Sequence, residues 1–257
     1  MIEFTEQQLK RYSRNILVSQ ISVGGQKRIS SGRIIIIGMG GLGSSAAFYC
    51  AAAGIGTLGI VDDDIVDISN LQRQIIHSTA DIGIEKVESA KAKILALNPD
   101  VNVETFRQRV CPGNIRNIIN GYDFVIDGTD NFKSKFLIND ACVMEKIPFS
   151  HAGVLQFTGQ TMTVLPGKSA CYRCVFEAPP DENTIPSCSA DGVLGSIVGI
   201  IGAIQATEAL KYIAKAGQPL FNKILTFDAL SMDIRTVEIQ KRPNCPVCGQ
   251  NPAISGL

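Results

Sequence analysis

The order of apolar and polar segments along the chain predicts an α/β fold. Arg33–Ile37 is a short β-branched run, typical of a strand buried on both faces, and Thr57–Val61 repeats this pattern after a glycine-rich turn and a helical segment. Lys86–Leu97 predicts a further helix, and residues 101–107 and Phe124–Asp127 predict further strands. Strands that alternate with helices indicate a Rossmann-like, doubly wound, mostly parallel sheet.

The pattern changes in the second part of the chain. Residues 153–165 alternate as antiparallel strands do, residues 193–214 predict a long apolar helix, and residues 224–228 and 232–239 predict two more strands. We therefore expect a C-terminal antiparallel extension of the parallel sheet. The whole chain, residues 1–257, is interpreted as one domain. Its two parts are residues 1–150, with N-terminal helices and a nucleotide-binding half, and residues 151–257, with a surface for a second substrate.

Composition and charge narrow the class of protein. The 24 basic and 24 acidic residues cancel, so no basic surplus favours nucleic acid or an anionic membrane as a partner. The longest apolar stretch, residues 193–206, is followed by Glu208 and Lys211 before it reaches the ~20 residues of a membrane helix. The polar N-terminus lacks a signal peptide, and with eight cysteines we expect metal or thiol chemistry in a reducing, cytoplasmic setting.

A glycine-rich turn follows the first strand and precedes a helix. Glycines there let the backbone approach a phosphate, and the helix N-terminus offers free N–H donors. Asp62 ends the second strand, 24 residues after Gly38, where its carboxylate can bind ribose hydroxyls. This arrangement predicts a nucleotide site without choosing between NAD and ATP. The glycines of the turn are Gly38, Gly40, Gly41 and Gly43.

Charged residues further along the chain favour a triphosphate. Arg73 and Lys86 can balance the β- and γ-phosphates of ATP, and Asp130, just after the strand at Phe124–Asp127, can hold Mg²⁺. Each residue alone is typical of a surface charge, but together they mark the sheet edge at which open α/β sheets bind ligands. An NAD-dependent dehydrogenase would leave these charges without a role.

The cysteines divide into two groups. Two C-x-x-C pairs match the ligand spacing of a closed, structural zinc site with four cysteine ligands, whereas a thioredoxin-type motif would need only one pair. Cys50, Cys111 and Cys142 are interpreted as inert packing residues. Cys188 follows a polar loop and precedes the long helix, whose N-terminus can lower the pKa of a thiol. The predicted zinc ligands are Cys171, Cys174, Cys245 and Cys248.

Five short motifs are distributed along nearly the whole chain: RYSRNIL from Arg11, GMGGLG from Gly38, SNLQRQ from Ser69, GTDNF from Gly128 and CPVCG from Cys245. Together they resemble the motifs of the ThiF/MoeB/HesA group of E1-like, ubiquitin-activating-type adenylyltransferases. The chain departs from the group where an Arg usually follows the TDN motif, because it has Lys135 there. Since Lys lacks the bidentate fork of Arg, this position is left out of the predicted site.

The resemblance implies roles for individual residues. It implies that Arg14 reaches the nucleotide of a neighbouring subunit, so that a homodimer completes the site, and that Cys188 takes part in sulfur transfer. An incidental loop cysteine is the alternative at that position, and Cys188→Ala should spare adenylation in either case. The ATP contacts that the resemblance implies are Gly41, Asp62, Ser69, Asn70, Arg73, Lys86, Asp130 and Asn131.

The predicted reaction is attack of a carrier protein's C-terminal carboxylate on ATP. The carrier would be a small, ubiquitin-like sulfur carrier that ends in Gly-Gly, ThiS-like or MoaD-like, and the product would precede a thiocarboxylate for thiamine or molybdopterin biosynthesis. An α-carboxylate is already ionised, so no general base is needed, and the chain has only two histidines. We expect a separate sulfur donor of the cysteine desulfurase or rhodanese type. An NAD-dependent oxidoreductase and a non-catalytic zinc-bearing interaction module remain alternatives.

Overall fold

The computed structural model describes residues 3–179 and 191–257, and in these ranges helices alternate with strands as the pattern predicted. The helices are α1 (Glu6–Ile16), α2 (Ser22–Ser31), α3 (Gly41–Ala52), α4 (Lys86–Leu97), α5 (Ile115–Ile119), α6 (Phe132–Met144), α7 (Tyr172–Val175) and α8 (Gly195–Ala214). The strands are β1 (Arg33–Ile37), β2 (Thr57–Val61), β3 (Asn102–Phe106), β4 (Phe124–Asp127), β5 (Phe149–Leu155), β6 (Thr158–Val164), β7 (Lys223–Asp228) and β8 (Asp233–Glu238).

All eight of these strands belong to one sheet, in the order β3-β2-β1-β4-β5-β6-β7-β8. The first five strands of this order pair in parallel, and β5, β6, β7 and β8 pair in antiparallel fashion. The Rossmann-like parallel sheet and its antiparallel extension are therefore confirmed. Strand β5 belongs to both parts, so the sheet continues without a break from one half of the chain into the other.

The strand β1 shows why the sequence forms a sheet covered on both faces. Ile34 and Ile36 point into one apolar cluster with α3, α4 and α8, whereas Ile35 and Ile37 point into a second cluster on the other face. All four side chains are at most 2% exposed. Each such burial contributes about 1.5–3 kcal/mol, so a continuous β-branched run is stable only where both faces are covered.

The helix α8 is long and apolar enough to span a membrane by length and composition, but 56% of its most apolar window is buried inside the protein. It packs across α3 and the middle of the sheet. Gly202 lies so close to the backbone of Leu42 on α3 that any side chain there would collide with its carbonyl group. The buried face of α8 is therefore that of a core helix.

Two local features differ from the sequence analysis. The helix α6 was not predicted, because its inward face carries the buried polar residues Lys135, Asn139 and Asp140, which disguise the apolar pattern. The interpretation of Cys111 as a packing residue is wrong, since it is exposed in the turn before α5, whereas Cys50 and Cys142 are buried. Burial raises the pKa of the Cys50 thiol to about 12, which keeps it protonated.

Candidate functional site

The glycine-rich turn joins β1 to α3 at the carboxyl edge of the sheet. Gly38 has a φ of 96°, and a Cβ there would lie 2.9 Å from the Gly128 carbonyl, so two backbone segments meet closely at this point. Gly40 is the N-cap of α3, and no side chain caps the helix N-terminus. The first N–H groups of α3 are therefore available to an anion, as the sequence predicted for a phosphate.

Asp62 closes the same edge from β2. Its Oδ2 accepts a hydrogen bond of 2.7 Å from the backbone N–H of Met39, and its Oδ1 accepts one of 2.9 Å from that of Asp64. Burial raises the pKa of the Asp62 carboxyl, and the nearby Lys86 ammonium opposes that shift. The carboxylate thus stands beside the turn, at the position expected for a ribose contact.

The two predicted phosphate-binding cations line this edge as well. Lys86, at the start of α4, is 5% exposed, and its Nζ donates a hydrogen bond of 2.9 Å to Asp64 Oδ2. Arg73 donates through Nη1 to the Ser69 carbonyl at 3.1 Å and forms no ion pair with a carboxylate of residues 3–179 or 191–257. A nearby backbone carbonyl thus holds the Arg73 guanidinium in place, and its charge is available to a ligand.

The acidic loop after β4 completes the edge. Asp130 is exposed, lines the same cavity as Arg73, and has no hydrogen-bond or ion-pair partner in the described parts of the chain. Asn131 caps α6, because its Oδ1 accepts a hydrogen bond of 2.8 Å from the Ser134 amide. A carboxylate that lines the cavity and has no partner among the described residues fits a hard cation such as Mg²⁺, which prefers oxygen ligands.

Other predicted site residues lie outside the cavity wall. Ser69 and Asn70 bond to Asp67 in the 3-10 turn Ile68–Asn70, where they shape the segment that carries Arg73. Gly43 packs against the Gly38 carbonyl, and the absence of a side chain there allows α3 to lie close to the end of β1. Arg14 is exposed on α1 and does not line the cavity of its own chain. Cys188 lies outside the described residues.

One cavity of about 910 Å³ unites the nucleotide edge with the antiparallel strands. Its second end is formed by β5, β6, β7 and β8. Four of its lining cations are paired with acids, since Lys86 bonds Asp64 and the other three make the pairs Arg109–Asp63, Lys135–Asp127 and Arg235–Asp233. Arg73 is therefore the lining cation, among the described residues, whose charge no acid neutralises.

Gln74, His151 and Lys135 are polar residues of the cavity wall that the predicted site does not include. Gln74 is 5% exposed, and its buried Oε1 has no hydrogen-bond partner among the described residues. An added Cβ on Gly40 would lie 3.7 Å from Gln74 Nε2, so this amide stands beside the glycine turn, where a phosphate would lie. His151 and Lys135 lie deeper, against Asp127. Gln74 ends the SNLQRQ motif, directly after Arg73, and this motif is a signal that could have indicated it.

The four predicted zinc ligands converge. The Sγ–Sγ distances are 3.6 Å for Cys171–Cys245, 3.4 Å for Cys174–Cys248 and 4.0 Å for Cys171–Cys174. A tetrahedral zinc ion with Zn–S bonds of ~2.3 Å requires Sγ–Sγ separations of about 3.8 Å. All four side chains are buried, so the cluster is closed and compatible with a structural zinc ion.

The cysteine cluster also touches the cavity. Tyr172 lies between two of the cysteines on α7, and its ring packs on the His151 imidazole with centroids 4.1 Å apart. The same ring contacts Phe136 of α6 at 4.9 Å. Because Tyr172 and His151 both line the cavity, the backbone segment that carries two cysteines also forms part of the binding wall.

Comparison with known families and proteins gives one consistent result. The model of the family described as "ThiF family" matches residues 12–247. A Haloferax volcanii protein, "SAMP-activating enzyme E1", is 45% identical over 243 residues, which are 95% of this chain and 90% of that protein. The Thermus thermophilus "Sulfur carrier protein adenylyltransferase" is 38% identical over 256 residues, which are 98% of this chain and 94% of that protein.

Two further similarities concern length and fold. A Mycobacterium tuberculosis protein, "Probable adenylyltransferase/sulfurtransferase MoeZ", is 41% identical over 246 residues, which are 94% of this chain but only 63% of that protein. Among solved structures, Escherichia coli MccB with MccA-N7isoASN superposes with a TM-score of 0.84 at 25% identity, covering 94% of this chain and 75% of that one.

Proposed function

Because this chain belongs to the ThiF family, we propose that it adenylates the C-terminal glycine carboxylate of a small, ubiquitin-like sulfur-carrier protein. One observation carries the proposal: the glycine turn, Arg73, Lys86 and Asp130 line a single cavity that continues between β5 and β8. The first end has the donors and charges that a nucleoside triphosphate needs, and the second end has room for an extended peptide tail.

The chemistry follows from charge. The carrier's carboxylate is an anion that attacks the α-phosphorus of ATP, forming an acyl–phosphate bond while the bond to pyrophosphate breaks. Both reactants are anions, so the protein has to offset their repulsion and hold them in line. Arg73 and the N–H groups at the start of α3 would do this. A proton need not be removed from the carboxyl group, whose ordinary pKa of ~3.5 keeps it ionised at neutral pH.

Buried histidines agree with a reaction that needs no general base. His151 is 3% exposed and its Nδ1 donates a hydrogen bond to the Asp127 carboxylate, while His77 is held by Ser89 and the Met39 carbonyl. Burial lowers the pKa of both imidazoles. His77 does not line the cavity, and His151, which does, is unprotonated at neutral pH and held against Asp127.

Further parts of the proposal concern ions and subunits. Asp130 would hold Mg²⁺, which supplies charge neutralisation of the phosphates, and the four cysteines would hold a structural Zn²⁺. A homodimer would place the partner subunit's Arg14 at the phosphates, and Cys188 would serve sulfur transfer with a separate sulfur donor. The product would then enter thiamine or molybdopterin biosynthesis, with residues 151–257 as the carrier-binding half.

The experiment is an exchange assay. The protein is incubated with ATP, labelled pyrophosphate and one purified carrier at a time, ThiS-like or MoaD-like. We expect label to enter ATP only with a carrier that ends in Gly-Gly, and not with the same carrier lacking its last glycine. Nicotinamide nucleotide binding without any exchange would instead support an oxidoreductase, and no nucleotide binding at all would support a non-catalytic module.

A further inference from the structure

A buried cluster beneath the nucleotide edge has no role in the reaction as proposed. It consists of Asp127, Lys135 and His151, which are 0%, 6% and 3% exposed and come from β4, α6 and β5. Lys135 Nζ lies 2.6 Å from the Thr129 carbonyl, 2.6 Å from the Ala152 carbonyl and 3.4 Å from Asp127 Oδ2. We call these three residues the β4–α6 cluster.

Lys135 has no donor left for a substrate. An ammonium group has three N–H bonds, and the three acceptors around this one use them all. Its charge is used as well, because Asp127 is fully buried and needs a cation nearby. His151 does not supply that cation, since burial and the Lys135 charge lower its pKa to about 4 despite the hydrogen bond with Asp127.

The cluster fixes the turn that carries Asp130. Asp127 Oδ1 accepts hydrogen bonds from the Thr129 amide at 3.0 Å and from its hydroxyl at 2.6 Å, while Lys135 holds the Thr129 carbonyl from the other side. Asp130 follows directly and has no partner of its own in the described residues. The direction of its carboxylate therefore depends on the backbone of this turn.

We propose that Lys135 is a positioning residue, which ties the turn after β4 to β5 and so aims the Asp130 carboxylate at the metal-bound phosphates of the nucleotide. The inference rests on the proposed function, because it needs Asp130 to act through Mg²⁺. It assigns a role to Lys135, which stands where the ThiF/MoeB/HesA group usually has an Arg. The ammonium acts through Asp130 and touches no substrate.

The test separates positioning from charge balance. Lys135→Met leaves Asp127 buried and unpaired, whereas Lys135→Met with Asp127→Asn restores neutrality without restoring the link to the Thr129 and Ala152 carbonyls. We expect both variants to need about tenfold more Mg²⁺ for half-maximal pyrophosphate exchange and to have a KM for ATP raised by a similar factor. The KM for the carrier should change less than about twofold.

Two further variants complete the set. Lys135→Arg keeps a cation that reaches the same carbonyls and should stay within about twofold of the wild-type Mg²⁺ requirement. Lys133→Met removes an exposed ammonium from the same helix and should change nothing. Wild-type Mg²⁺ dependence in a folded double variant would overturn the inference, since charge balance alone would then explain Lys135. Should Lys135→Met fail to fold, the double variant decides.

Failure of the proposed function is distinguishable from failure of this inference. Calorimetric titration of a non-hydrolysable ATP analogue, with and without Mg²⁺, reports on the Asp130 turn without any carrier. Mg²⁺-dependent binding that weakens about tenfold in the double variant supports the positioning role even if no carrier supports exchange. Binding that is equally Mg²⁺-dependent in both proteins contradicts it.

Discussion

At the scale of single residues, the charge of Arg73 decides the character of the cavity. The other cations that line the cavity form ion pairs with carboxylates of the protein and so stabilise the cavity wall. They are Lys86, Lys135, Arg109 and Arg235. Arg73 instead bonds only a carbonyl oxygen through one of its five N–H groups. Its guanidinium therefore keeps both charge and donors for an anionic ligand.

Arg73→Ala should accordingly lower carrier-dependent pyrophosphate exchange by about 100-fold or more, because a charge that acts on the reacting phosphates is lost. The free energy of unfolding should change by less than about 0.5 kcal/mol, since the side chain is only partly buried and supports no ion pair with the described residues. Arg116→Ala is the matched control, because it removes a surface guanidinium paired with Glu145. Wild-type exchange in the Arg73 variant would remove this residue from the site.

A second prediction at this scale concerns acid. The unfolded chain protonates His151 near its ordinary pKa of 6.5, but the folded protein protonates it only near about 4, because of burial and the Lys135 charge. Between these values the unfolded state binds more protons, so stability falls as the pH falls. Because of this imidazole, the free energy of unfolding should decrease by about 2 kcal/mol as the pH falls from 7 to 5.

His151→Asn tests this, because an amide can still donate to Asp127 but does not titrate. Urea unfolding at pH 7 and pH 5 should show a clearly smaller loss of stability in the variant. His77, whose pKa is also lowered by burial, is present in both proteins and cancels in the comparison. An equal pH dependence in the two proteins would mean that His151 is not the group responsible.

Individual residues also show what a sequence can reveal about a site. Asp62 and Asp130 stand close to the ends of β2 and β4, and parallel strands bring such ends to one edge, so their convergence could be predicted. Arg73 and Lys86 lie farther along the chain, between β2 and β3, and were assigned to this edge from their charge. The hydrogen-bond partners of the buried Lys135 ammonium could not be predicted from the sequence. Lys135 meets Ala152 only because β4 and β5 are neighbours and α6 crosses them, which no local pattern encodes.

At the scale of elements, the cysteine cluster joins two distant segments. It links α7 to the turn that carries Cys245 and Cys248, and Arg242 of that segment donates its backbone N–H to Cys174 Sγ at 3.4 Å. The strand β8, which precedes this last segment, is exposed along its whole length and so offers it little support. If the cluster binds a metal as proposed, that metal would hold the C-terminal segment in position.

We expect the purified protein to contain about one zinc ion per chain, and Cys245→Ser to lose it together with at least ~2 kcal/mol of stability. Elemental analysis and urea unfolding measure the two effects. Cys111→Ser is the control, because that thiol is exposed and lies outside the cluster. Zinc retained at full occupancy by the Cys245 variant would show that the metal is bound elsewhere.

Elements also differ in how well their sequences indicate them. The strands β1 and β4 and the helix α8 were predicted within two residues because their burial is complete or their length is unusual. The helix α6 was missed because Asn139 and Asp140 are buried by pairing with Tyr172 and Arg173. A helix face that packs through hydrogen bonds and ion pairs lacks the apolar repeat from which a helix is predicted.

At the scale of the whole molecule, the position of Arg14 leads to a prediction about subunits. It lies exposed on α1, away from the cavity of its own chain, so it can serve a nucleotide only in another copy. Arg14→Ala and Arg73→Ala should each inactivate a homodimer. Mixing the two variants under conditions of subunit exchange should restore about a quarter of the sites, because half of the dimers are mixed and each has one intact site.

Carrier-dependent pyrophosphate exchange measures the restored sites, and sedimentation confirms that subunits have exchanged. The control is a mixture of Arg73→Ala with itself, which should stay inactive. Failure of the mixture to regain activity, with exchange demonstrated, would mean that Arg14 does not complete a neighbouring site.

The close backbone contact between Gly202 and Leu42 has a consequence for recombination between relatives. The helix that begins at the glycine turn and the helix that leads into the last two strands are so close here that Gly202 faces the Leu42 carbonyl and the Ser45 side chain directly, so their surfaces must match closely. A chimera that takes residues 151–257 from a relative inherits one side of this contact alone. We expect such a chimera to fold stably only when α3 and α8 come from the same parent protein, so the two helices should be exchanged together.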